Sequence, residues 1–126
     1  MLINSEQKIN KRALADFNEY LIRRSKREPI AYLLGEKEFW SKKFLVNKDT
    51  LIPRPETELL VEKLITIYKK KRINILDIGT GTGCIILSIL SELKDSKGIA
   101  VDISRKAIEV AKKMLTNLSH LIELNL

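Results

Sequence analysis

The sequence is poor in the residues that build covalently or metal-held folds. Its one cysteine, Cys84, has no internal partner for a disulfide, and with a single histidine, His120, it cannot assemble a zinc site. Redox and metal chemistry are therefore not expected, and no metal ligand is assigned. Only five glycines and three prolines occur, and aromatic residues make up 6% of the chain. Collagenous and low-complexity classes do not fit that composition, and 44% apolar content argues against disorder. No apolar run approaches the ~20 residues of a membrane span, and no charged, apolar, then small-residue pattern opens the chain, so a cytoplasmic location is expected. What is present is 126 residues, 31% of them charged, which suits one globular domain or one domain with a small appendage.

The formal net charge is +7. Much of it sits in two clusters, Arg23-Arg24-Ser25-Lys26-Arg27 and Lys69-Lys70-Lys71-Arg72, each following a stretch that reads as a helix. Cations in a last helical turn oppose the negative end of the helix dipole, worth roughly 0.3–1 kcal/mol each at exposed sites. Helix capping is the favoured reading of both clusters, with a nucleic-acid patch as the alternative.

Along the chain, Ile9, Ala13, Phe17 and Leu21 recur at every fourth position, which predicts an amphipathic helix from Asn4 to Arg24. Asn4 and Gln7 resemble its capping box. Pro29 predicts a short helical turn through Ile30–Leu34, ended by Gly35. Glu38-Phe39-Trp40 and Phe44-Leu45-Val46 read as a hairpin joined by the three-residue loop Ser41-Lys42-Lys43. Leu51 to Pro55 is held extended by its prolines, and Pro55 opens a helix whose inner face is expected to carry Leu60, Leu64 and Ile67. Ile73–Ile78 reads as a strand, Cys84–Leu93 as an apolar helix, Ile99–Ile103 as a second, parallel strand, and Arg105 to about Thr116 as a helix presenting Ile108, Ala111 and Leu115 to the sheet. Ser104 is its expected N-cap.

The segment richest in information is Asp77-Ile78-Gly79-Thr80-Gly81-Thr82-Gly83. In a parallel sheet the loop after the first strand lies at the carboxyl edge, where ligands bind, and its glycines let backbone approach a ligand closely. The dinucleotide fingerprint G-x-G-x-x-G would place its third glycine at position 84, which is Cys84, and no phosphate loop ending in Gly-Lys-Ser/Thr is present. Asp77, two residues before the first glycine, would repel a pyrophosphate. A ligand with a cationic end fits better, and S-adenosylmethionine carries an ammonium and a sulfonium with no phosphate. Asp102, at the end of the second strand, can accept hydrogen bonds from both ribose hydroxyls. The plainer alternatives are that Asp77 only bonds the loop amides and that Asp102 only caps the next helix.

These residues resemble class I S-adenosylmethionine-dependent methyltransferases. Upstream, Glu28-Pro29-Ile30-Ala31-Tyr32-Leu33-Leu34-Gly35, then Phe39, Phe44, Val46 and Leu51-Ile52-Pro53-Arg54-Pro55-Glu56-Thr57-Glu58, resemble the narrower group of HemK-type release factor glutamine methyltransferases. The resemblance implies an α/β, Rossmann-like methyltransferase domain preceded by a small helical segment and a β-hairpin linker. The chain then divides into residues 1–35 (helical remnant), 36–53 (hairpin linker) and 54–126 (first part of the methyltransferase domain). It also implies S-adenosylmethionine as cofactor and release factors as partners. Gly79, Thr80, Gly81, Thr82 and Gly83 would line the methionine part of the cofactor, with Asp77 beside them and Asp102 at the ribose. Arg54, Pro55, Glu56 and Thr57 would approach from the linker or substrate side, or serve only as a rigid entry to the helix. Cys84, Trp40 and Tyr32 are expected to be packing residues.

The sequence departs from that family at the signature Asn-Pro-Pro-Tyr, which holds the substrate amide and occurs nowhere here. No catalytic residue is assigned. The expectation is a chain truncated at both ends, with two recognisable sheet strands and an unpaired first strand, inactive alone or completed by a separately encoded C-terminal half. The alternative is a non-catalytic module docking on ribosomal RNA or a partner chain. A nicotinamide dehydrogenase fragment is disfavoured by the position of Gly83.

Overall fold

The computed structural model describes residues 8–118 and 124–125, with side chains described for residues 8–116. Helix α1 spans Lys11–Ser25. Asn10 caps it, with extended backbone and a side-chain oxygen that accepts the Ala13 amide at 2.7 Å. The start therefore lies at Lys11, not Asn4: a side chain that satisfies an orphan amide of the first turn fixes where the helix can begin. Ile9 precedes the helix, and the Asn4–Gln7 capping box lies outside the described residues. No residue of α1 is buried. Helix α2 (Ile30–Leu34) follows Pro29 and ends on Gly35 in the left-handed region, φ 72°, as predicted.

Strands β1 (Glu36–Phe39) and β2 (Lys42–Leu45) pair antiparallel, Glu36 opposite Leu45 and Phe39 opposite Lys42. The connection is thus Trp40-Ser41, not the expected three-residue loop. Both residues have positive φ, 51° and 54°, the pattern of a type I′ turn, whose twist matches that of the flanking strands. The register places Phe39 and Phe44 inward, 1% and 0% exposed, with rings edge to face 6.1 Å apart. Trp40 is held in its strained turn by tertiary bonds: its amide donates to Glu58 and its indole Nε1 to Glu92.

A 3-10 turn at Pro55–Thr57 leads into α3 (Glu58–Tyr68). The buried side of α3 is Val61 with the partly buried Leu64, Ile65 and Tyr68; Leu60 and Ile67, expected inside, are exposed. The helix is apolar nearly all round, so periodicity alone did not single out the side that meets α4. The cluster Lys69–Arg72 lies beyond the last turn of α3, whereas Arg23 and Arg24 do occupy the last turn of α1.

Strands β3 (Asn74–Ile78), β4 (Lys97–Val101) and β5 (Leu124–Asn125) form a parallel sheet in the order β3-β4-β5. A third strand thus joins the two that were expected, and β3 stays at the edge. Strand β4 begins at Lys97 rather than Ile99. Gly98, ahead of the expected strand start, lies within β4, and a glycine suits it because a Cβ there would come within 2.7 Å of Ile86 and 2.9 Å of Leu90. Helix α4 (Cys84–Glu92) buries five residues against this face, and α5 (Arg105–Leu118) adds Ala107, Val110, Ala111 and Met114. Ile108 and Leu115, expected to face the sheet, are only partly buried. A fully buried Leu, Ile or Phe contributes roughly 1.5–3 kcal/mol. The other face carries Leu76, Ile78, Ile99 and Val101, all exposed. The fold is α/β and Rossmann-like, with helices on one side of a short parallel sheet. No described helix is long and apolar enough to cross a membrane.

Candidate functional site

Because β3 and β4 are parallel, with Ile78 opposite Val101, their carboxyl ends bring the loop 79–83 beside Asp102. The loop is fixed by its own amides. Gly79 and Thr80 both donate to the Val101 carbonyl, at 2.8 and 3.0 Å, and Gly83 donates to Thr80 at 2.8 Å. Gly81 donates to Asp102 Oδ2 at 2.8 Å, while Asp102 Oδ1 accepts the Ser104 amide at 2.8 Å. Asp102 is therefore a clasp between the loop and the start of α5, where Ser104 in turn accepts the Ala107 amide. Each of its oxygens retains a further lone pair for a ligand hydroxyl.

The three loop glycines serve different ends. Gly79 and Gly81 have φ of 78° and 56°, and a Cβ on either would meet nothing within 4 Å, so both border open space. Gly83, φ 79°, faces inward: a Cβ would come 3.0 Å from Leu87 and 3.5 Å from Ala111, so this glycine lets α4 and α5 approach. Thr80 and Thr82 are 6% and 2% exposed, so any ligand contact from them is through backbone. Thr80 Oγ1 donates to Asp77 Oδ2 at 2.8 Å. Burial raises the Asp77 pKa above the ordinary carboxylate range, the Thr80 bond partly offsets this, and neighbouring Asp102 adds to the rise. Burial likewise holds the Cys84 thiol protonated, in keeping with a packing role.

With the amides of Gly79, Thr80, Gly81 and Gly83 turned to internal acceptors, the loop has few donors left for a phosphate. Asp77 and Asp102 instead supply acceptors, so the site's chemistry suits a ligand with a cationic end and hydroxyls. The hydrogen bonds of the linker run go elsewhere. Thr57 donates back to Arg54, and neighbouring Glu58 accepts from Trp40, which ties the run to the hairpin turn. Arg54, Pro55 and Glu56 are exposed and Thr57 is half-buried. Sequence reasoning missed two contributions to the site: the packing role of Gly83 and the Gly81 clasp by Asp102. The Gly81 contact has no local signal in the sequence, whereas the Ser104 contact is the capping alternative read there, in the Asx-turn spacing Asp102-x-Ser104.

Comparison with known proteins agrees with the order of these elements. The profile of the PrmC N-terminal domain matches residues 1–35, and a methyltransferase domain profile matches residues 69–122. The chain is 45% identical over 112 residues to the release factor glutamine methyltransferase of Buchnera aphidicola subsp. Schizaphis graminum, covering 89% of this chain and 41% of that protein. It is 51% identical over 102 residues to the protein of the same name from Buchnera aphidicola subsp. Baizongia pistaciae, covering 79% of this chain and 36% of that protein. A bifunctional methyltransferase of Rickettsia conorii is 38% identical over 137 residues, with 89% of this chain and 26% of that protein covered. The chain thus spans less than half the length of these curated relatives. In sequence, it is similar to the N-terminal part of release factor glutamine methyltransferases over most of its own length.

Proposed function

We propose that the chain supplies the cofactor-binding part of a cytoplasmic, S-adenosylmethionine-dependent methyltransferase acting on the side-chain amide (N5) of a glutamine in peptide chain release factors. The observation that carries this reading is the glycine loop whose amides are committed internally while Asp77 and Asp102 border it. That donor set fits S-adenosylmethionine better than a dinucleotide, since a carboxylate attracts an ammonium and repels a pyrophosphate. Asp102 would hold the ribose hydroxyls, and the space over Gly79 and Gly81 would take the methionine part. When bound, S-adenosylmethionine supplies an electrophilic methyl group. A planar amide nitrogen is a poor nucleophile and must be oriented while its proton is accepted. No residue of this chain is assigned that task, so the chain assayed alone is expected to transfer no methyl group. Its loop borders open space at Gly79 and Gly81 and would bury little of a ligand, so cofactor binding is expected to be weak.

Calorimetric titration tests the first half. S-adenosylmethionine or its demethylated product should bind in preference to NAD, and Gly81→Val or Asp102→Ala should each abolish binding. Tighter binding of NAD, or indifference to both substitutions, overturns the reading. Incorporation of labelled methyl into purified release factor tests the second. Turnover above a no-enzyme control refutes inactivity of the chain alone, whereas activity that returns only with a separately expressed C-terminal half supports a shared active site.

A further inference from the structure

The two basic clusters of the sequence meet different fates. In the first, Glu28 accepts from both Nε and Nη2 of Arg23, at 2.9 and 2.6 Å, and Arg24 donates to the Glu28 carbonyl. Both arginines stand in the last turn of α1, where a cation complements the helix dipole. The second cluster has neither use. It begins after α3 has ended, and among the described residues Lys70, Arg72 and Lys94 have no carboxylate partner. Lys70 takes a left-handed φ of 66°, and the Lys71 amide closes the turn on the Tyr68 carbonyl. The turned backbone sets these cations against the loop that follows α4. Together they line a groove of about 720 Å³ with Lys70, Lys71, Arg72 and Lys94 on its walls.

Two acids share the groove, Glu92 and Asp95. Glu92 Oε1 accepts the Trp40 indole at 3.2 Å and lies 3.9 Å from Lys42 Nζ, and Lys71 Nζ lies over the Tyr68 ring, 5.9 Å from its centroid. The lining sets two carboxylates against four cations, a positive balance. The apolar lining is Leu93 alone, 7% exposed and unable to anchor a partner. Protein interfaces are depleted in Lys, Glu and Asp and are centred on aromatic or apolar residues, whereas nucleic-acid interfaces are polar and strongly positive. We infer that this groove, at the end of the sheet opposite the glycine loop, seats the phosphate backbone of a single-stranded nucleic acid. A flexible single strand can bend its backbone to follow so short a groove. Reading phosphates alone, it is indifferent to base sequence and to the sugar.

Fluorescence anisotropy with a short labelled RNA homopolymer tests this on the whole chain, titrated between about 50 and 200 mM salt. With three to four phosphates neutralised, log affinity should fall against log salt with a slope of about −2 to −3. The variant Lys70→Asn/Lys71→Gln/Arg72→Gln/Lys94→Gln alters only exposed side chains, and its circular dichroism should match the parent. It should lose about tenfold or more in affinity at low salt and flatten the slope. Removing three cations of the first cluster, Arg24→Gln/Lys26→Gln/Arg27→Gln, should cost less than about threefold, and DNA of the same base should bind as RNA does. Equal losses from the two clusters overturn the inference, because the binding would then follow net charge alone. Absence of binding at the lowest salt overturns it too, as does displacement of RNA by polyglutamate at equal charge concentration.

Discussion

Helices α1 and α4 are built on opposite terms. No residue of α1 is buried, and its described supports are local: the Asn10 cap and the Arg23 contacts with Glu19 and Glu28. Helix α4 has no side-chain cap and no charge in its first turn, yet five of its residues are buried against the sheet and α3. One helix is stabilised by its own ends, the other by tertiary packing. Since isolated helices of this length are marginal in water, α1 should fray independently while α4 melts only with the sheet.

The largest effect that would sharpen the contrast is expected from Phe44→Ala. Phe44 is fully buried and packs edge to face on Phe39, so its truncation should cost about 3–5 kcal/mol in denaturant unfolding. Phe17→Ala, at a site 56% exposed on α1, should fall within about 0.5 kcal/mol. Comparable losses from the two would mean that α1 is covered in solution.

Next in size is Gly83→Ala. The added Cβ meets Leu87 at 3.0 Å in a backbone with φ 79°, so strain and crowding act together and a loss of about 1–3 kcal/mol is expected. Gly79→Ala shares the backbone strain but borders open space, so it should cost less, about 1 kcal/mol. A reversed order in thermal melts would show that crowding between α4 and α5 is not the reason for a glycine at 83.

A smaller and more local effect should follow Asn10→Ala. Loss of the cap should cost about 1 kcal/mol, and amide exchange should register it in the first turns of α1 without shifting the unfolding of the sheet. Coupled shifts in both regions would break the distinction drawn above.

How much of the molecule could be read beforehand follows the same division. Local signals read truly: Pro29 and Gly35 bracketed α2, and the Asp77–Gly83 run lay at a strand-to-helix turn beside Asp102. Features set by tertiary partners did not. Trp40-Ser41 has none of the residues that favour a left-handed turn, and Trp40 stays there through Glu58 and Glu92, distant in sequence. The glycine at 98 answers to Ile86 and Leu90 of α4, distant in sequence, and the burial of Val61 rather than Leu60 depends on where α4 lies. Within the site, residue identities were legible, but the direction of each amide was not.

The smallest effect sets two carboxylates against each other under acid. Glu28 has its pKa lowered by its hydrogen bonds from Arg23, so the stability it lends to the end of α1 is present above its unfolded pKa and is lost as pH falls through the depressed value. Asp77 is shifted upward, chiefly by burial, so between the ordinary carboxylate range and its raised pKa the folded chain holds more proton than the unfolded one. Stability of the sheet region should therefore decline as pH rises through that window, the reverse of the usual acid response. The same ionisation favours a cationic ligand, so S-adenosylmethionine should bind more tightly as pH rises through the window while the protein itself becomes slightly less stable. Carboxyl carbon shifts followed by NMR can read both groups in one titration, and Asp77→Asn should flatten the sheet response while leaving the Glu28 midpoint in place. A Glu28 midpoint that moved with Asp77→Asn would show that the two regions titrate as one.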